Sequence, residues 1–159
     1  MARFEPEMII TQSLLDRLSD EEPGAPVDPP LTRAQSFRAF KASLRRDLEW
    51  LLNTRQIPTP APDALRELSR SLYNYGLPDM MSLSAQNVQD RNLLQEYLRI
   101  AVEQFEPRLA DVRVVAEPAA PNSRMLRFRI EGLARIDPAP EHVTFDTVLE
   151  LTSGQYEVR

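Results

Sequence analysis

The spacing of apolar residues changes once along this chain, at Phe105-Glu106-Pro107-Arg108-Leu109. Ahead of that point apolar residues recur every three or four positions, the repeat of an amphipathic helix; beyond it they alternate with polar ones, as in a half-buried strand. Phe37, Phe40, Leu44, Leu48, Leu51 and Leu52 form one helical stripe, opened by Thr32 and Gln35 in a capping-box pattern and running to about Asn53. A second helix, capped by Asn87 and ending at Phe105, carries Leu94, Leu98, Ala101 and Phe105, with Tyr97 and Val102 alongside. Leu93 and Ile100 add another apolar line to it, so it is expected to pack on two sides. Between these two, Asp63 is a plausible cap for a short helix with Leu65, Leu68 and Leu72 on one face. Gly76, Leu77 and Pro78 signal its end. Near the start, Ile10, Leu14 and Leu18, widened by Leu15, predict a helix over residues 8–19 with Asp16 and Arg17 off its stripe. So short a helix needs a surface, either the core of this chain or a groove on a partner.

Pro107 lacks an amide N–H and biases Glu106 away from helical geometry, so the long helix should stop there. Alternation then takes over in Val112 and Val114, in Leu126, Phe128 and Ile130, and in Val143, Phe145, Thr147, Leu149 and Leu151. Thr152-Ser153-Gly154-Gln155 reads as a hairpin turn into a last strand, Tyr156-Glu157-Val158. The expected fold is α+β: about three helices, plus a tethered N-terminal one, packed on one face of a small C-terminal antiparallel sheet. The other face is wet and the edges are open to an added strand, with Tyr156, Glu157 and Val158 as the candidate edge.

Composition adds a stiff tether. The chain has 14 prolines and 4 glycines, and residues 20–30 are acidic with Pro23, Pro26, Pro29 and Pro30. This divides it into an arm, residues 1–31, and a single domain, residues 32–159. A net charge of −5 argues against nucleic-acid binding. No apolar run reaches membrane-span length, and the first residues do not read as a signal peptide. With no cysteine and only His142, thiolate and histidine-rich metal centres are excluded, and the cytosol is a suitable compartment.

No P-loop, dinucleotide fingerprint, zincin helix or nucleophile elbow is present, so neither a catalytic residue nor a cofactor is expected. His142, beside Pro140 and Glu141, reads as a surface residue. Glycosidase chemistry needs two carboxylates with separated pKa values. Glu106 is a conceivable member, yet Arg108 would lower its pKa if the two meet, which is wrong for a general acid. Trp50 lies off its helical stripe, either under a neighbouring loop or as an interface anchor. Two readings follow: a glycosidase using Glu106, or an assembly subunit.

A resemblance favours the second. Ser13-Leu14-Leu15-Asp16-Arg17-Leu18, Arg46-Asp47-Leu48-Glu49-Trp50-Leu51-Leu52-Asn53-Thr54-Arg55, Tyr75-Gly76-Leu77-Pro78-Asp79 and Phe105-Glu106-Pro107-Arg108-Leu109 follow one another in this order. Together they resemble the TssE family, small baseplate subunits of bacterial type VI secretion systems, themselves similar to a phage baseplate wedge protein labelled lysozyme-like, a label that implies as the alternative a peptidoglycan-degrading enzyme using Glu106. The second and fourth blocks are the specific ones. The resemblance implies a structural role in a cytoplasmic baseplate docked at an inner-membrane complex, with TssF and TssG as wedge partners and TssK nearby. It implies that Glu106, Pro107 and Arg108 face the helical core of the wedge. It also implies that the sheet accepts strands from the TssB/TssC sheath. Trp50, Leu14, Leu15 and Leu18 are further candidate interface residues.

Overall fold

The computed structural model describes residues 10–19, 31–59, 61–62, 64–80, 83–84, 86–118, 125–150 and 152–159. The proline-rich linker, the first two residues of the predicted N-terminal helix, Asp63 as a helix cap and Leu151 lie outside them. The described elements are α1 (Leu14–Leu18), α2 (Arg33–Asn53), α3 (Arg66–Ser69), a 3-10 turn (Leu72–Asn74), α4 (Val88–Phe105), β1 (Leu109–Ala116), β2 (Met125–Ala134), β3 (Glu141–Glu150) and β4 (Gln155–Val158).

Helix α2 starts where its capping box directs. The Gln35 N–H donates to Thr32 Oγ1 at 3.3 Å and the Thr32 N–H to Gln35 Oε1 at 2.9 Å, satisfying two donors that the first helical turn leaves unpaired. Phe40, Leu44, Leu48, Leu51 and Leu52 are buried, and Phe37 packs partly buried against them. The side chain of Asn87 caps α4 by accepting the Gln89 N–H at 2.9 Å, and Leu94, Leu98, Ala101 and Val102 face the core.

The second apolar line of α4 does not pack: Leu93 and Ile100 are 41% and 44% exposed. The reason is visible in the same helical row, where Glu96 and Glu103 alternate with them and hold Arg99 in exposed ion pairs. That face is a solvated one carrying two apolar residues. The expected Leu65, Leu68 and Leu72 face is also absent, since Leu65 and Leu72 are 52% and 80% exposed. α3 is only four residues long and gives way to the 3-10 turn, so positions four apart no longer stack. Gly76, by contrast, sits as expected with φ +105°, and a Cβ there would collide with the Thr54 carbonyl. That close approach lets Leu77 donate to Thr54 O at 2.8 Å while its side chain is fully buried.

The sheet is an antiparallel meander in the order β1-β2-β3-β4. Its inner face carries Val112 and Val114, Leu126, Phe128 and Ile130, Val143, Phe145, Thr147 and Leu149, and Tyr156 and Val158, all buried. Helix α4 lies along β1 and α2 along β4, closing the core against that face. The fold is α+β, helices first and sheet last. Among the described residues no helix is long and apolar enough to cross a membrane.

Candidate functional site

Helix α4 ends at Phe105 because Pro107 cannot continue it. Glu106 makes the last helical bond, N–H to Val102 O at 2.9 Å, and its side chain then turns inward and is 6% exposed. A carboxylate this deep requires a partner. Arg108 supplies it as a fork, Nε to Glu106 Oε1 at 2.7 Å and Nη2 to Glu106 Oε2 at 2.5 Å, with its backbone N–H adding a bond to Oε1 at 3.2 Å. The pairing does not stop there. Arg108 Nη2 also reaches Asp47 Oδ2 at 2.7 Å, Asp47 Oδ1 accepts from Arg46 Nε at 3.0 Å, and Arg46 Nη1 binds Asp16 Oδ1 at 2.7 Å. Ser43 Oγ sits inside the chain, donating to Asp16 Oδ2 at 2.6 Å and accepting from Arg108 Nη1 at 3.2 Å. Five charges of alternating sign thus tie the end of α4 and the start of β1 to α2 and α1.

The titrations follow from this geometry. Burial works to raise the pKa of Asp16, but hydrogen bonds from Ser13, Ser43 and Arg46 and the charge of Arg46 outweigh it and hold the group at about 2. The hydrogen bond to Glu106 leads in raising the pKa of Arg108, against desolvation and with help from Asp47. Burial, then the charges of Asp47 and Glu106, raises the Tyr75 hydroxyl.

Above the network lies a depression of about 320 Å³ lined by Asp47, Trp50, Tyr75, Glu106, Pro107 and Arg108, among others. Trp50 is 53% exposed and is not packed under a loop. The guanidinium of Arg46 lies 5.0 Å from its ring centroid, a cation–π contact that orients the indole. Tyr75 is fixed edge-on to Phe105, with centroids 5.2 Å apart at 71°. Glu106, Pro107 and Arg108 therefore meet Trp50, distant from them in sequence, at one cleft.

Two other candidate regions stand differently from expectation. The N-terminal helix is shorter than its pattern, Leu14–Leu18, capped by Ser13. It docks by Asp16 and not by its leucines: Leu14, Leu15 and Leu18 are 70%, 51% and 75% exposed. Ile10, which shares their spacing, leaves the helix and is buried, its N–H donating to Ser36 Oγ at 3.3 Å. A half-buried, multiply bonded carboxylate outweighs a narrow apolar stripe as an anchor here, so the stripe faces out. The sheet edges are also not simply open. Arg159 and Asp146 exchange N–H to O bonds of 2.8 and 3.2 Å, which by antiparallel alternation points the backbone groups of Glu157 at β3 and those of Tyr156 and Val158 outward. Asn53 at the end of α2 occupies the first of these, accepting the Tyr156 N–H at 2.8 Å and donating to its carbonyl at 2.9 Å. On the opposite edge Gln95 of α4 accepts the Ala116 N–H at 3.4 Å.

Residues 38–139 match the model of the family described as baseplate wedge protein gp25. The chain belongs to that family. A solved structure described as "The baseplate complex from the type VI secretion system" contains a chain similar to this one, 18% identical over 70% of this chain and 94% of that chain, with a TM-score of 0.47. No curated protein matches.

In this gp25-family chain several residues of the site escaped the sequence reading. Ser43 and Asp47 are two of them: with Trp50, which the sequence does single out, they lie four and three positions apart in one helical row beside the buried stripe of α2, and that row is the available signal. Asp16 shows in the sequence only as a residue off the stripe. Asn53 gave no signal, because its partner lies 103 positions away.

Proposed function

We propose that the chain is a structural subunit of a type VI secretion baseplate of the TssE kind, docking on TssF–TssG through the cleft at Glu106-Pro107-Arg108. The observation that carries this reading, beside membership of the gp25 family, is the convergence of an exposed tryptophan and a fully paired charge network on that one cleft. The network is complete before any partner arrives, so docking costs little reordering, and Trp50 offers the large apolar anchor on which interfaces depend. Leu14, Leu15 and Leu18 form a second contact, presented by the arm of residues 1–31 beside the domain of residues 32–159. The edge at Tyr156, Glu157 and Val158 receives extended strands from the TssB/TssC sheath, which begins its assembly on this platform, with TssK nearby. The subunit acts in the cytoplasm, in a baseplate docked at the inner-membrane complex.

Geometry favours this over a lysozyme-like activity. A general acid must hold a transferable proton, whereas both oxygens of Glu106 accept hydrogen bonds from Arg108. Replacement of Trp50 by alanine tests the docking reading. The variant should stay within about 0.5 kcal/mol of the parent in urea, as expected of an exposed side chain. It should nevertheless fail to co-purify with co-expressed TssF–TssG. Retention of the complex would overturn the cleft as the docking point, and clearing of peptidoglycan by the parent but not by Glu106→Gln would restore the enzyme.

A further inference from the structure

The edge of β4 has a flank of its own. On α2, Arg38, Lys41 and Arg45 follow one another at helical spacing, and together with Arg159 and the buried Phe145 they line a depression of about 340 Å³. Lys41 Nζ lies 5.7 Å from the centroid of the Phe145 ring, and the field of Arg45 reaches Glu157. At the other end of the same edge Arg55 Nη2 donates to Gly154 O at 2.8 Å, with Glu49 beside Asn53 and Tyr156. The side chains along this edge are therefore Arg38, Lys41, Arg45, Arg55 and Arg159 against Glu49 and Glu157. Glu157 is already bound by Arg159 through two contacts of 2.9 Å. Among the described residues Arg38, Lys41 and Arg45 have no carboxylate within ion-pair distance. This positive strip stands on a chain whose net charge is −5.

Cations beside a strand edge do two things. They repel a second copy of the same edge, which blocks self-pairing. They also leave charge unpaired for whatever does pair there. Tyr156 and Val158 turn their N–H and C=O groups outward, and among the described residues only those of Tyr156 are held, by the neutral and exchangeable amide of Asn53. In a strand added beside β4, alternate side chains would turn to the helix side of the sheet, toward α2.

We propose that the β4 edge selects an extended partner segment with acidic side chains at alternate positions. Its backbone pairs with Val158 and, once Asn53 is displaced, with Tyr156, while its carboxylates meet Arg38, Lys41 and Arg45. This rests on the strand-accepting part of the function proposed above and adds the chemistry of the strand.

The test uses the full chain, isotope-labelled, and two synthetic peptides of equal length, one alternating valine with glutamate and one alternating valine with lysine. The glutamate peptide should shift the Val158 and Tyr156 amide resonances and bind about tenfold tighter or more than the lysine peptide. That preference should shrink at about 0.5 M salt, where the screening length is only a few Å. The double substitution Arg38→Glu, Arg45→Glu, at two exposed positions that leave the core intact, should reverse the preference. Equal binding of both peptides at Val158 would overturn acidic selection while leaving strand addition in place. Failure of either peptide to move Val158 would remove strand addition itself, and the docking cleft would still stand or fall by Trp50.

Discussion

The cleft at the end of α4 and the edge of β4 are both completed by α2, in opposite ways. At the cleft, α2 contributes Ser43, Arg46 and Asp47 to a chain of charges in which each member has an opposite neighbour at 2.5–3.0 Å. At the edge it contributes one neutral amide and a row of cations that have no carboxylate partner among the described residues. The first arrangement is closed: removing Arg108 strands the buried charge of Glu106. The second is provisional, since an incoming backbone can replace every bond that Asn53 makes to Tyr156. A rigid surface suits a contact that forms once and is kept, and a plugged edge suits one that must wait for its partner.

Breaking the closed side should cost most. Arg108→Leu leaves Glu106, whose side chain is 6% exposed, without its counter-charge, and should lower stability in urea by about 3 kcal/mol. A loss below about 1 kcal/mol would mean that the network is ornamental and that the cleft is no more closed than the edge. On the provisional side, Asn53→Ala removes hydrogen bonds that water can replace and should cost about 1 kcal/mol. Its clearer signature is local, a faster hydrogen exchange at the Tyr156 amide, which Arg108→Leu should leave protected relative to global unfolding.

The smallest effect concerns α1. The pKa of Asp16 lies at about 2 in the folded chain, below its ordinary 3.8, so the stabilisation it gives is complete above the higher value. That stabilisation is lost as pH falls through the lower one. Amide protection in Leu14–Leu18 should therefore stay flat from neutral pH down to about 5 and fall only in stronger acid. In Asp16→Asn the protection should be weak throughout and independent of pH in that range. A loss of protection near neutral pH in the parent would exclude Asp16 as the latch.

What could be read from the chain beforehand was what is settled locally. The capping box of Thr32 and Gln35, the Asn87 cap and the halt at Pro107 each depend on residues within a few positions of one another. Strand alternation from Val112 to Val158 was legible because a sheet with one dry face imposes it residue by residue. Gly76 was legible in its φ, though not in its cause, the Thr54 carbonyl. The failures arise where burial depends on what lies opposite. Leu93 and Ile100 looked like core until Glu96 and Glu103 proved to share their row, and Asp16, off the stripe of α1, proved to be what ties that helix to α2. Trp50 was noticed as a misfit, but only the fold brings it to Glu106 and Arg108. The Asn53 plug joins residues more than a hundred positions apart, and no local pattern carries that.

Trp50 is the only tryptophan in the chain, and it stands half in water at the rim of the cleft with a guanidinium against its ring. The intrinsic fluorescence of the protein is therefore a reporter built into one of its two candidate surfaces. Burial of the indole by a docked partner would shift its emission to shorter wavelength, while a strand added at β4 would leave it unchanged. Occupancy of the cleft can thus be followed in an unlabelled mixture, separately from events at the sheet.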